Sequence, residues 1–427
     1  MKTLHIYPLE QRIDKSKHIR SCSIVKLNND FKEDEFILWF KFNNLEFISD
    51  IDDNDCDSYL LSMIHDAMVE NRKIVVHGSV SESLLNNLVE YINIWSTWCN
   101  VDYYGHTKEV KCNYIEIDVE NIVEDYNIHD QISYGVPYQD HSAAVLAFSG
   151  GVDSMFSLWS HYNNELSHQN KKIKYAVFIG GADISLSLLE KYDIWFKDIS
   201  EILNSMGISF HRVDTNFREV STSYWPMSHG VALTSILNHF KPMVRTGIIA
   251  SSTNYTDFIS GVKGHLPWGT NPITDYLMGQ ENFKILHSGG THRRQDKILK
   301  IGSWLDGKNN LRSCWEGPHG IKQMNENILN CGKCRMCIKT MFCFMINKLE
   351  IPNSFPICNI DEVSWDEIEF YRKDNLDDTG YSPTVFTEEE LRNYGFNIGI
   401  YWKEKLFTIY SKKTKWVDAF YEMVRNQ

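Results

Sequence analysis

Four short runs built around apolar residues, Ala143–Phe148, Tyr175–Ile179, Ser209–Val213 and Thr246–Ser251, are separated by stretches long enough for one helix each. Apolar runs of this length suit strands that are buried on both faces. Parallel neighbours need a crossover of a dozen or more residues, normally a helix, and the intervals here provide it. The pattern predicts βαβ units and a doubly wound, mostly parallel α/β sheet. In such a sheet ligands bind beyond the carboxyl ends of the strands, so chemistry is expected in the residues that follow each run.

The first run leads directly into Ser149, Gly150, Gly151, Val152, Asp153 and Ser154. A helix follows in which Met155, Phe156, Leu158 and Trp159 can face the sheet. Paired glycines let the backbone turn tightly and approach a phosphate with no Cβ in the way. The helix start offers unpaired N–H groups and the positive end of its dipole to an anion. Ser149 and Ser154 add hydroxyls. Asp153 beside a polyanion either orients the loop or holds Mg²⁺. The GxxxxGK[ST] pattern of the Walker-type ATPases is absent.

Cysteine spacing carries the second signal. Cys331, Cys334 and Cys337 form C-x2-C-x2-C, and Cys314 lies 17 residues upstream. Four thiolates with tight local spacing suit a closed tetrahedral Zn²⁺ site of the structural kind. An iron–sulfur cluster also takes four cysteines and is the rival reading. Cys22, Cys56, Cys99, Cys112, Cys343 and Cys358 show no such spacing and read as core residues.

An SGG-x-DS loop followed in the same α/β region by C…CxxCxxC resembles the QueC-like (7-cyano-7-deazaguanine synthase-like) PP-loop ATP pyrophosphatases. The group includes members from bacterial anti-phage systems (QatC and the QueC-like component of type IV CBASS), which also carry an extra N-terminal region. The resemblance covers roughly Ala143 to Leu349. It implies a PP-loop sheet, ATP with Mg²⁺, a four-cysteine zinc module from Cys314, Cys331, Cys334 and Cys337, and cleavage of ATP to AMP and pyrophosphate. It further implies adenylation of a carboxylate such as 7-carboxy-7-deazaguanine, then attack by an amine to give an amide or nitrile. In the defence-associated members the amine is expected on a partner protein. The segment FIGGADI, residues 178–184, departs from the Tyr-Gly-Gln type sequence of the housekeeping enzyme, which puts the final product in question.

Other segments are expected around the same cleft. Gly181 and Asp183 end the second run, where Asp183 meets a purine-like edge or a ribose hydroxyl, or is an exposed loop carboxylate. His229, with Gly230, opens a helix and either contacts phosphate or is a helix-start histidine with no role. Asn254 follows the fourth run. His287–Lys297, HSGGTHRRQDK, gathers glycines, two arginines and a lysine into an anion grip or, on the alternative reading, a solvated basic turn. Arg294 and Lys297 stand three apart and share a helix face. Arg supplies a fork to phosphate and Lys a point charge. With Ser149, Gly150, Gly151, Val152, Asp153 and Ser154 they form the expected ATP site, and Asp153, Ser149 and Lys297 the expected catalytic set.

Composition narrows the partners. A formal net charge of −13 repels phosphate backbones and argues against a nucleic-acid partner, hence against a tRNA-modifying PP-loop enzyme. A non-catalytic nucleotide-binding subunit of a defence complex is the other alternative, and the intact SGGVDS counts against it because a pure scaffold has no need to keep Asp153. No apolar run reaches membrane-spanning length, and the N-terminus lacks a signal-peptide core, so the cytoplasm is expected. Three regions are read: an N-terminal α+β domain at 1–140, the PP-loop domain with its cysteines at 141–350, and an appended segment at 351–427.

Overall fold

The computed structural model describes residues 1–43, 45–100, 111–124, 140–255, 268–314, 329–332, 335–347 and 349–355. The appended segment thus lies outside the described residues beyond 355, and so does Cys334. The strands are β1 (Lys2–Asp14), β2 (Lys17–Asn28), β3 (Phe31–Asn43), β4 (Lys73–Ser81), β5 (Ile117–Val123), β6 (Asp140–Ala147), β7 (Lys172–Gly180), β8 (Ser209–Thr215), β9 (Val244–Ala250) and β10 (Lys284–Ser288). They make one 10-stranded sheet in the order β10-β9-β6-β7-β8-β3-β2-β1-β4-β5. The longer helices are α1 (Asp57–Glu70), α2 (Glu82–Asn100), α3 (Val152–Tyr162), α4 (Asp193–Ser205), α5 (Trp225–Asn238), α6 (Arg294–Ile301) and α7 (Arg335–Ile346).

All pairings from β8 through β7, β6 and β9 to β10 are parallel. Strand alternation feeds two cores. Ala143, Val145 and Ala147 point to the side packed by α5, while Ala144 and Leu146 point to the side packed by α3, α4 and α6. Helices therefore cover both faces, as a doubly wound sheet requires. The chain moves outward from β6 through β7 to β8 on one side, then returns to place β9 and β10 on the other. This reversal between β6 and β9 creates a crevice at their carboxyl ends.

The N-terminal strands continue the same sheet across the boundary expected at 140. β1, β2 and β3 form an antiparallel meander, and β3 joins β8 through Phe40↔Thr215, Lys41↔Asp214 and Phe42↔Val213. Asn216 reinforces the seam: its Oδ1 accepts the Trp39 N–H at 3.0 Å and its Nδ2 donates to the Ile37 carbonyl at 2.8 Å. Lys241 adds a second link, with its ammonium 2.6 Å from Asp55 and 2.7 Å from Asp57. Both carboxylates are shielded from water, so this pair of contacts fixes geometry more than it adds net stability. No helix among the described residues is long and apolar enough to cross a membrane.

Candidate functional site

The glycine loop leaves β6 at the crevice. The Phe148 N–H still donates to the Val177 carbonyl at 2.8 Å, and the chain then turns away from the sheet. Gly150 makes the turn at φ 72°. A Cβ there would sit 2.3 Å from Cζ2 of the buried Trp195, so both the backbone and the neighbour demand glycine. The Ser149 hydroxyl accepts the Gly151 N–H at 3.2 Å and lies 3.3 Å from the Ser154 hydroxyl, which donates to the Gly151 carbonyl at 3.2 Å. Gly151 precedes α3 with no side-chain cap. The start of α3 carries the positive end of its helix dipole.

Gly150→Ala is expected to destabilise the protein by about 2 kcal/mol or more, from the left-handed backbone and the Trp195 clash together. Gly207 is the control: its φ is 75° but nothing lies within 4 Å of its would-be Cβ. Gly207→Ala should cost only the backbone term, about 1 kcal/mol. Denaturant unfolding of both variants measures the difference.

The cations expected from the second glycine segment converge on this loop. Lys297 donates to Asp153 Oδ1 at 2.7 Å, and Arg294 Nη1 stands 3.7 Å from Oδ2. The Lys297 side chain is only 3% exposed and that of Asp153 24%, so the pair is largely buried rather than on the surface. Lys297 also donates to the Ser251 carbonyl at the end of β9. Arg294 reaches in the other direction, with Nη2 donating to Thr340 on α7 at 2.9 Å. Its Nε is buried without a partner. The shared helix face of Arg294 and Lys297 is thus the face turned to Asp153. Among the described residues Asp153 belongs to no cluster of three or more metal-binding side chains.

Nothing in the sequence singles out Arg312. It is 5% exposed, its N–H donates to the Gly150 carbonyl at 2.8 Å and its Nε to the Ser149 carbonyl at 3.0 Å. Its Nη2 lies 4.0 Å from Asp183. A lone arginine in LRSC carries no motif. Its role arises from two backbone carbonyls that no sequence pattern records.

The remaining candidates follow β7 and β9 or lie in α5. Gly181 adopts φ 86°, and a Cβ there would meet the Thr215 carbonyl oxygen at 2.0 Å. Asp183 is exposed. His229 does not open its helix: α5 begins at Trp225, with Pro226 in its first turn, a position where the missing N–H of proline costs nothing. His229 lies one turn in. Its Nδ1–H donates to the Trp225 carbonyl at 3.2 Å, and its Nε2 accepts from the Thr270 hydroxyl at 3.2 Å. Trp268 meets its ring edge-on at 5.1 Å. Burial lowers its pKa, and the Trp225 carbonyl, Asp183 and Asp275 pull the other way. The imidazole is therefore neutral at pH 7, a hydrogen-bonding group rather than a cation for phosphate. Asn254 is buried in the loop after β9.

Cys314, Cys331 and Cys337 are buried, with their sulfurs all within 4.8 Å of one another. The Cys331 and Cys337 sulfurs are 3.8 Å apart. Tetrahedral Zn²⁺ with its usual bonds to sulfur places two thiolates about 3.8 Å apart, so the cluster fits a metal ion such as zinc. The cluster is tied to the loop. Asn330, beside Cys331, accepts the Cys314 N–H at 3.1 Å and donates to the Leu311 carbonyl at 2.9 Å, bracketing Arg312.

The molecule is thus an α/β protein with a glycine loop at the switch point of its sheet, a buried cation against that loop, and a buried cysteine cluster behind it. No family model matches the chain, and no curated protein or solved structure matches it.

Proposed function

We propose that this protein is a QueC-like PP-loop enzyme that splits ATP into AMP and pyrophosphate to adenylate a carboxylate, which an amine then attacks. The observation that carries this reading is the convergence of Lys297 on Asp153 at the glycine loop. An uncapped helix start and a buried ammonium together suit a leaving pyrophosphate, whose charge grows in the transition state. The N–H groups of the loop bind the phosphate oxygens, Lys297 neutralises the developing charge, and Arg294 extends the positive field. Mg²⁺, when bound with ATP, shields charge on the phosphates. Arg312 holds the loop open through its carbonyls. The carboxylate, 7-carboxy-7-deazaguanine or a related deazapurine, lies toward Gly181, Asp183, His229 and Asn254, where Asp183 offers acceptors to an amidine edge. The acceptor amine is ammonia or belongs to a partner protein of an anti-phage system.

The test is mass spectrometry of full-length protein with ATP, Mg²⁺, 7-carboxy-7-deazaguanine and ammonium. AMP that appears only with the carboxylate, together with an amide or nitrile, is the expected result. AMP formation independent of the carboxylate, or none, counts against this reading.

A further inference from the structure

We infer that His287, oriented by Asp275, is the base that takes the proton from the amine as it attacks the activated carboxylate. This role belongs to the second half of the reaction proposed above and rests on that reading.

Asp275 is 1% exposed and both of its oxygens are engaged. Oδ1 accepts the Asn271 N–H at 2.8 Å, and Oδ2 accepts from His287 Nδ1 at 2.7 Å. A carboxylate only accepts, so a ring proton sits on Nδ1, and in the neutral imidazole Nε2 carries the lone pair. The His287 side chain is 7% exposed, and its Nε2 is buried with no hydrogen-bond partner. Buried ring nitrogens are normally satisfied, and one left open with its partner nitrogen fixed by a carboxylate is an acceptor prepared for something that arrives.

Location separates this histidine from others of its kind. His65 and His239 also have an unpartnered buried nitrogen. However, His65 packs between Tyr91 and Trp95, and His239 packs against Phe40 and Phe42, in the interior. His287 is the penultimate residue of β10, at the carboxyl end of the sheet. The next residue, Ser288, gives its carbonyl to the Ser251 N–H at 2.7 Å, and the Ser251 carbonyl holds Lys297. Two backbone links therefore connect the imidazole strand to the Lys297–Asp153 pair. On its other side Asp275 acts electrostatically on His229. Tyr255, 41% exposed, stacks on the His287 ring at 6.2 Å.

In this step a neutral amine nitrogen attacks the carbonyl carbon of the acyl adenylate, and a C–N bond forms. One N–H proton passes to His287 Nε2, and the imidazolium is stabilised by Asp275. The bond from the acyl carbon to the phosphate oxygen breaks, and AMP leaves with that electron pair.

Two rates measured on full-length protein test this. Carboxylate-dependent ATP–pyrophosphate exchange reports adenylation alone, and amide formation from 7-carboxy-7-deazaguanine and ammonium reports the whole reaction. In His287→Gln the amide rate should fall about 10²-fold more than the exchange rate, within the usual range for loss of a general base. Added imidazole should restore part of the amide rate in His287→Ala. Asp275→Asn should show the same selective loss at about tenfold. Equal falls in both rates with no response to imidazole would make His287 a structural residue and overturn the inference. Amide formation that is unchanged in His287→Gln would overturn it too. Absence of exchange in the unaltered protein would remove the adenylation reading itself, and this inference with it.

Discussion

Lys297→Met should reduce AMP formation by about 10³-fold while leaving the protein folded. The magnitude is that of removing one preorganised group from a site where transition-state charge accumulates. Methionine keeps much of the aliphatic stem, so packing is largely retained, and what is lost beside the ion pair is the contact of Nζ with the Phe156 ring at 5.8 Å. Asp153 then keeps Arg294 as a cationic neighbour, at 3.7 Å. Asp153→Ala behaves differently. It strips a buried ammonium of its carboxylate and leaves it the Ser251 carbonyl. Breaking a fully buried pair costs about 3–5 kcal/mol, and the partial exposure of Asp153 reduces this to roughly 2–3 kcal/mol. AMP formation should be lost as well. The double variant Lys297→Met with Asp153→Ala should recover much of that stability and none of the activity, the signature of two residues coupled to each other. Denaturant midpoints and a discontinuous AMP assay on the four proteins complete the cycle. If Lys297→Met retains AMP formation within about tenfold, the cation is structural and the loop is not a pyrophosphate site.

What is legible in the sequence follows from the range of the interaction that carries each feature. The strand, glycine loop and helix around SGGVDS are local, and they read correctly because glycine pairs and apolar runs act over a few residues. The partnership of Arg294 and Lys297 is legible for the same reason, since helical spacing places them on one face. α1 escapes a sequence reading because every residue from Asp57 to Met68 is buried. A helix enclosed on all sides shows no amphipathic contrast to detect. The hairpins of β1, β2 and β3 escape it for want of glycine in their turns. Lys15 and Ser16 take φ 55° and 93°, and Asn29 and Asp30 take 47° and 69°, conformations usually signalled by Asn-Gly or Asp-Gly. The β3–β8 seam, which merges the N-terminal region with the rest of the sheet, pairs residues far apart in the chain and leaves no periodic trace. Arg312 and the Asp275–His287 pair are hidden likewise. Their partners are backbone carbonyls or distant side chains that only the fold brings together.

Chelation of any metal held by the cysteine cluster should lower stability and also weaken ATP binding, and this second effect is the more informative. The path is short. Cys314 lies two residues after Arg312, and Asn330 holds Leu311 and Cys314 on either side of it. Arg312 in turn fixes the carbonyls of Ser149 and Gly150. A second path runs from α7, which bears Cys337, through Thr340 to Arg294. A structural zinc site contributes its binding energy to folding, so Cys331→Ser or strong chelation should lower stability by at least about 3 kcal/mol. For a domain of this size that corresponds to a fall in melting temperature of about 6–12 °C. With Arg312 no longer held, ATP affinity should drop about tenfold or more, the equivalent of losing one well-placed charge-assisted contact. Cys22→Ser is the control: Cys22 is buried in the N-terminal part of the sheet, so its loss should cost stability without changing metal content or ATP affinity. Elemental analysis with calorimetric ATP titration decides the matter. About one zinc per chain, lost together with ATP affinity in Cys331→Ser, is the expected result. Iron with a brown colour would reassign the cluster to iron–sulfur chemistry. Undiminished ATP affinity in metal-free protein would show that the loop holds its shape without Arg312, and that the cysteines serve stability alone.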